Sequence, residues 1–179
     1  MKKILAFLMV LGFASSSCEP DDICDPATPT TPRMLIQFFD FNNPSKEKNV
    51  TNLKVIGVGM SEGVVLSPSV SGDGKYVTSG NSILLPLNTE ADLVKYEFIN
   101  YFGNKNPLLT NKDILTFNYT RQNLYVSRAC GFKTIFDLKE KNPFELTDGT
   151  PADQMWIKYV SIEKSNITYE NETIVKIFF

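Results

Sequence analysis

No stretch of about twelve or more residues in this chain repeats its apolar side chains with a helical period, while β-branched and aromatic residues crowd every apolar run. A chain built this way has strands to fold with and little else. The runs are Arg33–Phe41 (RMLIQFFDF), Asn52–Val58, Ser82–Leu87, Leu93–Phe102, Asp113–Thr120, Leu124–Phe136, Met155–Ile162 and Thr173–Phe179, separated by Gly, Pro, Asn and Ser clusters. Arg33–Phe41 is nearly apolar on both sides, as a central strand is. Asp113–Thr120 sets Leu115, Phe117 and Tyr119 on one face against Ile114, Thr116, Asn118 and Thr120 on the other. Arg121-Gln122-Asn123 reads as a turn, which would make the flanking runs a hairpin with a kink at Gly131. The expectation is all-β: a single antiparallel β-sandwich, immunoglobulin-like or Greek-key, of about eight strands spanning residues 33–179. One domain suffices, because a chain of this length buries roughly 70 % of its unfolded surface as a single unit. The longest irregular segments, Ser67–Gly80 and Glu140–Pro151, are where a ligand site is expected.

The amino terminus is of another kind. Met1-Lys2-Lys3 precedes eleven residues, Ile4 to Ala14, of apolar character, and Ser15-Ser16-Ser17 leads into Cys18. At ~1.5 Å per helical residue the run covers about half of a ~30 Å bilayer core, so it suits targeting and not spanning. The segment resembles a lipoprotein signal, with residues 1–17 removed and Cys18 acylated. Ser15 stands where that motif usually has Leu, Val or Ala, a departure familiar from the serine-rich cleavage regions of the Bacteroidota; ordinary Sec cleavage is the other reading. An acylated Cys18 would tie the protein to a membrane without a second device. Glu19, Asp21 and Asp22 follow directly. They resemble a surface-export signal, a solvated acidic tether being the alternative.

Removal of residues 1–17 takes away Lys2 and Lys3, leaving 162 residues with 16 basic and 20 acidic side chains. That balance, with no basic block, argues against a nucleic-acid partner. With Cys18 lipidated, Cys24 and Cys130 remain, and an even pair in an oxidising envelope suggests a disulfide, two buried free thiols being the alternative. The bond would leave Glu19 to Ile23 as free tether, on the order of 15 Å when extended. Asp25–Pro32 (DPATPTTP) reads as an extended, polyproline-like leader, so that residues 18–32 form anchor and leader.

The Cys18 and Cys24 leader, Thr31-Pro32 before an apolar strand ending Phe38-Phe39-Asp40, Leu85-Pro86-Leu87-Asn88, and Val126-Ser127-Arg128-Ala129-Cys130-Gly131-Phe132 carry a resemblance over most of the mature chain. They are similar to the DUF6452 family of Bacteroidota lipoproteins. The resemblance implies an envelope lipoprotein and no assigned activity.

Chemistry is limited by the absence of histidine, which removes Ser-His and Cys-His dyads, imidazole metal sites and the commonest general base. Nothing in the spacing of Glu97, Asp113 or Asp137 marks two carboxylates that converge, as glycoside hydrolysis needs. Ser71-Gly72-Asp73-Gly74 lacks the lysine of a phosphate loop and the alternating ligands of an EF-hand, and reads as a hairpin turn. Asn49-Val50-Thr51, Asn118-Tyr119-Thr120, Asn166-Ile167-Thr168 and Asn171-Glu172-Thr173 match a eukaryotic glycosylation pattern by chance. The terminal Ile177-Phe178-Phe179 reads as core, since several strands are too short for a membrane barrel.

No enzyme, cofactor or metal site is expected. The expected protein is an outer-membrane lipoprotein facing the periplasm or the cell surface, a non-enzymatic module that docks on another envelope protein. The alternative is a glycan or peptide binder that uses Trp156 and tyrosines such as Tyr76, Tyr101 and Tyr159, with core packing as the competing role for Trp156.

Overall fold

The structure is a computed structural model and describes residues 23–179. The signal segment, Cys18, Glu19, Asp21 and Asp22 lie outside the described residues. Eleven strands are present among the described residues: β1 (Met34–Phe39), β2 (Leu53–Gly57), β3 (Val77–Thr78), β4 (Ser82–Leu85), β5 (Leu93–Asn100), β6 (Asn111–Ser127), β7 (Gly131–Leu138), β8 (Phe144–Asp148), β9 (Tyr159–Ile162), β10 (Asn166–Ile167) and β11 (Thr173–Phe178). They form a smaller sheet, ordered β4-β1-β11-β9, and a larger one, ordered β10-β7-β6-β5-β2-β3, with β8 also paired to β6.

Alternation explains how the sheets meet. Met34, Ile36 and Phe38 of β1 are fully buried, as are Leu115, Phe117 and Tyr119 of β6, and with Val55, Phe98, Ile174 and Ile177 they belong to one core between the two sheets. The expected β-sandwich is therefore present, and the inward face of β6 is the one its alternation predicted.

Three details differ from expectation. β1 and β11 run parallel in the middle of the smaller sheet, Phe38 beside Ile177 and Phe39 beside Phe178, although every other pair is antiparallel. A parallel neighbour needs a long return, and here nearly the whole domain supplies it. The strand count exceeds eight because β3 and β10 are two-residue pieces and because β8 forms inside the segment expected to be irregular. Phe144 and Leu146 of β8 pack on the core while Glu145 and Thr147 face out, a short alternation that Glu140 and Lys141 before it disguise.

The third difference concerns Arg121-Gln122-Asn123, which is no turn: β6 runs unbroken through it for 17 residues. Its first half pairs with β5 on one side and with β8 on the other, and its second half pairs with β7, which carries the short β10 at the base and beyond it continues with β6 as a two-stranded ribbon. The polar triplet marks where the strand leaves the sandwich for solvent. Arg121 holds that point, its Nε donating to Asp92 at 2.6 Å and its Nη1 to the Thr89 carbonyl at 2.5 Å. The chain reverses instead at Arg128-Ala129-Cys130. Gly131 follows with φ of 69°, the left-handed residue that closes a three-residue hairpin loop, so it ends the turn and does not kink a strand. Ser71-Gly72-Asp73-Gly74 enters a short 3-10 turn, Gly72–Tyr76, inside the long connection between β2 and β3.

Tyr119 locks the segment after β4 to the core. Fully buried, its hydroxyl accepts from the Asn88 N–H at 2.9 Å and donates to the Asn88 carbonyl at 3.1 Å. Tyr119→Phe leaves both backbone groups without that partner and is expected to cost about 1–3 kcal/mol, read by urea denaturation.

Candidate functional site

Three features stand apart from ordinary sandwich architecture. The first is the ribbon. Cys24 and Cys130 are disulfide-bonded across 106 residues, so the start of the described chain is fixed to the ribbon's turn. From there the leader returns toward the sandwich. Asp25 folds it into a tight turn, its Oδ1 accepting from the Ala27 N–H at 2.9 Å, where a continuous extended path was expected. Farther on, Thr31 Oγ1 accepts from the Thr134 N–H at 3.0 Å, and the Arg33 guanidinium donates twice to the Glu170 carboxylate, at 2.8 and 2.7 Å, before β1 begins. Near the tip the rings of Tyr125 and Phe132 meet edge to face at 5.4 Å, with more than three-fifths of each residue exposed. Ile23 is 76 % exposed and shares with Tyr125, Arg128 and Cys130 a shallow depression of about 410 Å³.

The second feature is an apolar groove where the ribbon joins the sandwich. After β2 the chain turns at Gly57–Met60 and folds back, the Val64 N–H donating to the Val55 carbonyl at 2.7 Å. This turn faces Pro86-Leu87-Asn88 and the start of β5, and the space between them, about 370 Å³, is lined by Met60, Val64, Pro86, Leu87, Val94 and Tyr96. Its floor is fixed from below by the Tyr119 bonds to Asn88 and by the Tyr96 hydroxyl, which donates to the Pro86 carbonyl at 2.5 Å. Burial holds the Tyr96 phenol well above its ordinary pKa, so it stays a donor. The groove continues past Val58 and Leu93, and its rim is apolar side chain in water: Met60 is 72 % exposed and Val58 and Leu93 nearly half. Met at such a rim adapts to the shape of what it meets.

The third feature is a polar end to the core. Asp113 occupies an inward position of β6, one place beyond Leu115, and is fully buried. Asp148 is its direct partner on β8. The segment after β8 wraps over the pair: the Ile157 N–H donates to Asp113 Oδ2 at 2.8 Å and the Gln154 N–H to Asp148 Oδ2 at 2.9 Å. Burial pushes the Asp113 carboxyl up to about 6. The Ile157 and Trp156 N–H groups and Lys158 oppose the rise and Asp148 adds to it. Because the folded value lies above the unfolded one, the native state binds the proton more tightly. In protein kept free of divalent ions, this carboxyl should therefore add up to about 3 kcal/mol below pH 4, and that contribution should vanish as pH rises through 6. Melting temperatures across that range, compared between native protein and Asp113→Asn, check the sign.

The residues singled out from sequence do not gather in one place. Trp156 is core, its Nε1 donating to the Phe98 carbonyl at 3.1 Å. Tyr76 is buried and donates to Glu62 at 2.8 Å. Tyr101 follows β5, and Tyr159 lies on edge strand β9 beside Phe178 with ring centroids 5.6 Å apart. Of the carboxylates, Glu97 pairs with Lys112 at 3.2 Å on the outer face, Asp113 is internal, and Asp137 lies on β7. Neither long loop holds the groove, which three separated segments build. Among the described residues no three carboxylates, thiols or imidazoles group as a metal centre.

Compared with known proteins, residues 52–179 match the sequence profile of a family described as "Family of unknown function (DUF6452)". The match runs from the residue before β2 to the carboxyl terminus and leaves out β1 and the leader. Neither the curated proteins nor the solved structures contain a match.

Proposed function

The chain belongs to the DUF6452 family, and on that premise we propose that it is a Bacteroidota envelope lipoprotein, carried on the outer membrane by an acylated Cys18, whose sandwich docks on another envelope protein without performing catalysis. The observation that carries the reading is the exposed apolar groove of Val58, Met60 and Leu93, held open by buried tyrosine hydroxyls. Water-exposed apolar side chains gathered on one pre-formed surface suit a protein or peptide partner. The staple adds a location. With Cys24 fixed at the ribbon tip and five residues between it and Cys18, an acylated Cys18 would hold the tip near the membrane. The ribbon beyond Arg121, about six residues long at ~3.4 Å each, would then set the groove roughly 20 Å farther out.

A photo-crosslinking residue at Met60, introduced in cells, should give one discrete adduct with an envelope protein, and Leu93→Asp should abolish it. Adducts of the same yield from a position on the opposite sheet, such as Ser161, would refute the groove as the docking surface. The anchor has its own test: intact mass of the purified chain should show acyl groups on residue 18, and Cys18→Ser should leave the protein unacylated. Protease digestion of intact cells decides whether Glu19, Asp21 and Asp22 direct it to the surface.

A further inference from the structure

Among the described residues, three buried side-chain polar atoms have no hydrogen-bond partner, and all three are oxygens at one end of the core: Asn111 Oδ1, Asp113 Oδ1 and Asp148 Oδ1. Their positions are related by the sheet. Asn111 and Asp113 are two residues apart on β6 and share its inward face, and Asp148 is the residue of β8 directly opposite Asp113. Each side chain is already held from the other side. Asp113 Oδ2 and Asp148 Oδ2 accept backbone N–H groups of Ile157 and Gln154, while Asn111 Nδ2 donates to the Gln154 carbonyl at 2.6 Å and to Asp153 Oδ1 at 3.0 Å. The loop therefore holds one atom of each group and leaves the other, an oxygen, bare.

Bare buried acceptors are costly, and two carboxylates facing each other across a strand pair are doubly so. Among the described residues neither Asp113 nor Asp148 has an ion-pair partner: Lys112 is taken by Glu97, and Lys158 Nζ donates to the Met155 carbonyl at 2.6 Å. Three species could relieve the arrangement. A shared proton satisfies one contact between the carboxylates and leaves Asn111 bare. A water has two protons for three acceptors and brings no charge. A cation takes all three oxygens as ligands and offsets both negative charges. The donors are all hard oxygen, two carboxylates and an amide, which selects calcium or magnesium over zinc and copper. The absence of a rigid octahedral set favours calcium, which accepts flexible geometry.

We propose that Asn111, Asp113 and Asp148 form a calcium site at the end of the sandwich remote from the ribbon, which clamps β8 and the segment carrying Trp156 onto β6. Two carboxylates and one amide place its affinity at roughly 10⁻⁴–10⁻³ M, the range of extracellular calcium modules. The site is independent of the docking reading, since it needs neither the anchor nor a partner.

The test uses the purified full chain, oxidised and stripped with chelator. Terbium, a luminescent calcium substitute, should be sensitised by Trp156, the neighbour of Ile157, the residue that donates its N–H to Asp113 Oδ2. Emission should saturate at one ion per chain and fall on addition of excess calcium, and calcium alone should raise the melting temperature. Asp148→Asn should weaken terbium binding at least tenfold, whereas Asp92→Asn, near the ribbon base, should leave it unchanged. Absent sensitised emission together with a calcium-independent melting temperature would overturn the proposal. So would binding that Asp148→Asn leaves intact, which would place the ion elsewhere. Should Asp148→Asn fail to fold, the native protein still decides: stabilisation by acid and not by calcium means the pair shares a proton and the site is not one for a metal.

Discussion

Removing the Cys24–Cys130 bond, by reduction or by Cys130→Ser, is expected to lower the unfolding free energy by as much as ~4.7 kcal/mol, the chain-entropy value for closing a loop of about a hundred residues. The bond spans 106 residues and so constrains most of the unfolded domain, while in the folded state it touches only the leader and the ribbon tip. The loss should thus appear mainly through the unfolded ensemble, with the sandwich itself unchanged. Urea titrations with and without reductant measure it, followed by the fluorescence of Trp156. A shift below 1 kcal/mol would show that the denatured chain is compact enough to make the cross-link redundant. Amide exchange gives a second reading: the Thr134 N–H, held by Thr31 Oγ1, should lose protection when the leader is freed.

Phe98→Ala should cost about 3–5 kcal/mol, the range for truncating a buried aromatic. Phe98 is fully buried in the middle of β5, between Val55 of β2 and Asp113 of β6, where both neighbouring strands fix the backbone and collapse around the void is restricted. Its carbonyl also accepts the Trp156 Nε1–H, so any shift of β5 is felt by that indole and by the polar end of the core beside it. Leu108→Ala is the matched control. That residue is 88 % exposed in a turn, and its truncation should fall within about 0.5 kcal/mol. Chemical denaturation of both variants gives the difference, and a Phe98→Ala cost under 1.5 kcal/mol would contradict the close packing of the two sheets.

What the sequence reveals about the fold depends on how local the cause is. The inward face of β6 follows from the alternation of Leu115, Phe117 and Tyr119, and the central place of β1 from its two apolar faces, because each pattern lies within one strand. The disulfide follows from parity among three cysteines. The ribbon was obscured because Arg121-Gln122-Asn123 is polar for the same reason a turn is, exposure to water, although no glycine or proline sits there to reverse the chain. The parallel β1–β11 pair joins the two ends of the domain and has no local signature. The groove is the extreme case: Met60, Leu87 and Val94 come from segments that look like ordinary punctuation until pairing brings them together. The polar end of the core left a trace. Asp113 stands in phase with Leu115, Phe117 and Tyr119, a carboxylate on an apolar face, but its partner Asp148 lies 35 positions away on a strand too short to be anticipated.

The staple at the ribbon tip also changes what a single proteolytic cut can accomplish. Between Cys24 and Cys130 the polypeptide is a closed ring, so whatever is joined upstream of Cys24 reaches the sandwich by two covalent routes, one through the leader and one through the sulfurs into the hairpin. The exposed, proline- and threonine-rich leader is the obvious place for an enzyme to nick the chain, yet a nick there leaves the body attached. For a cut in the leader, separating the body from whatever lies upstream of Cys24 would require a reductant as well, whereas a cut before Cys24 would need none.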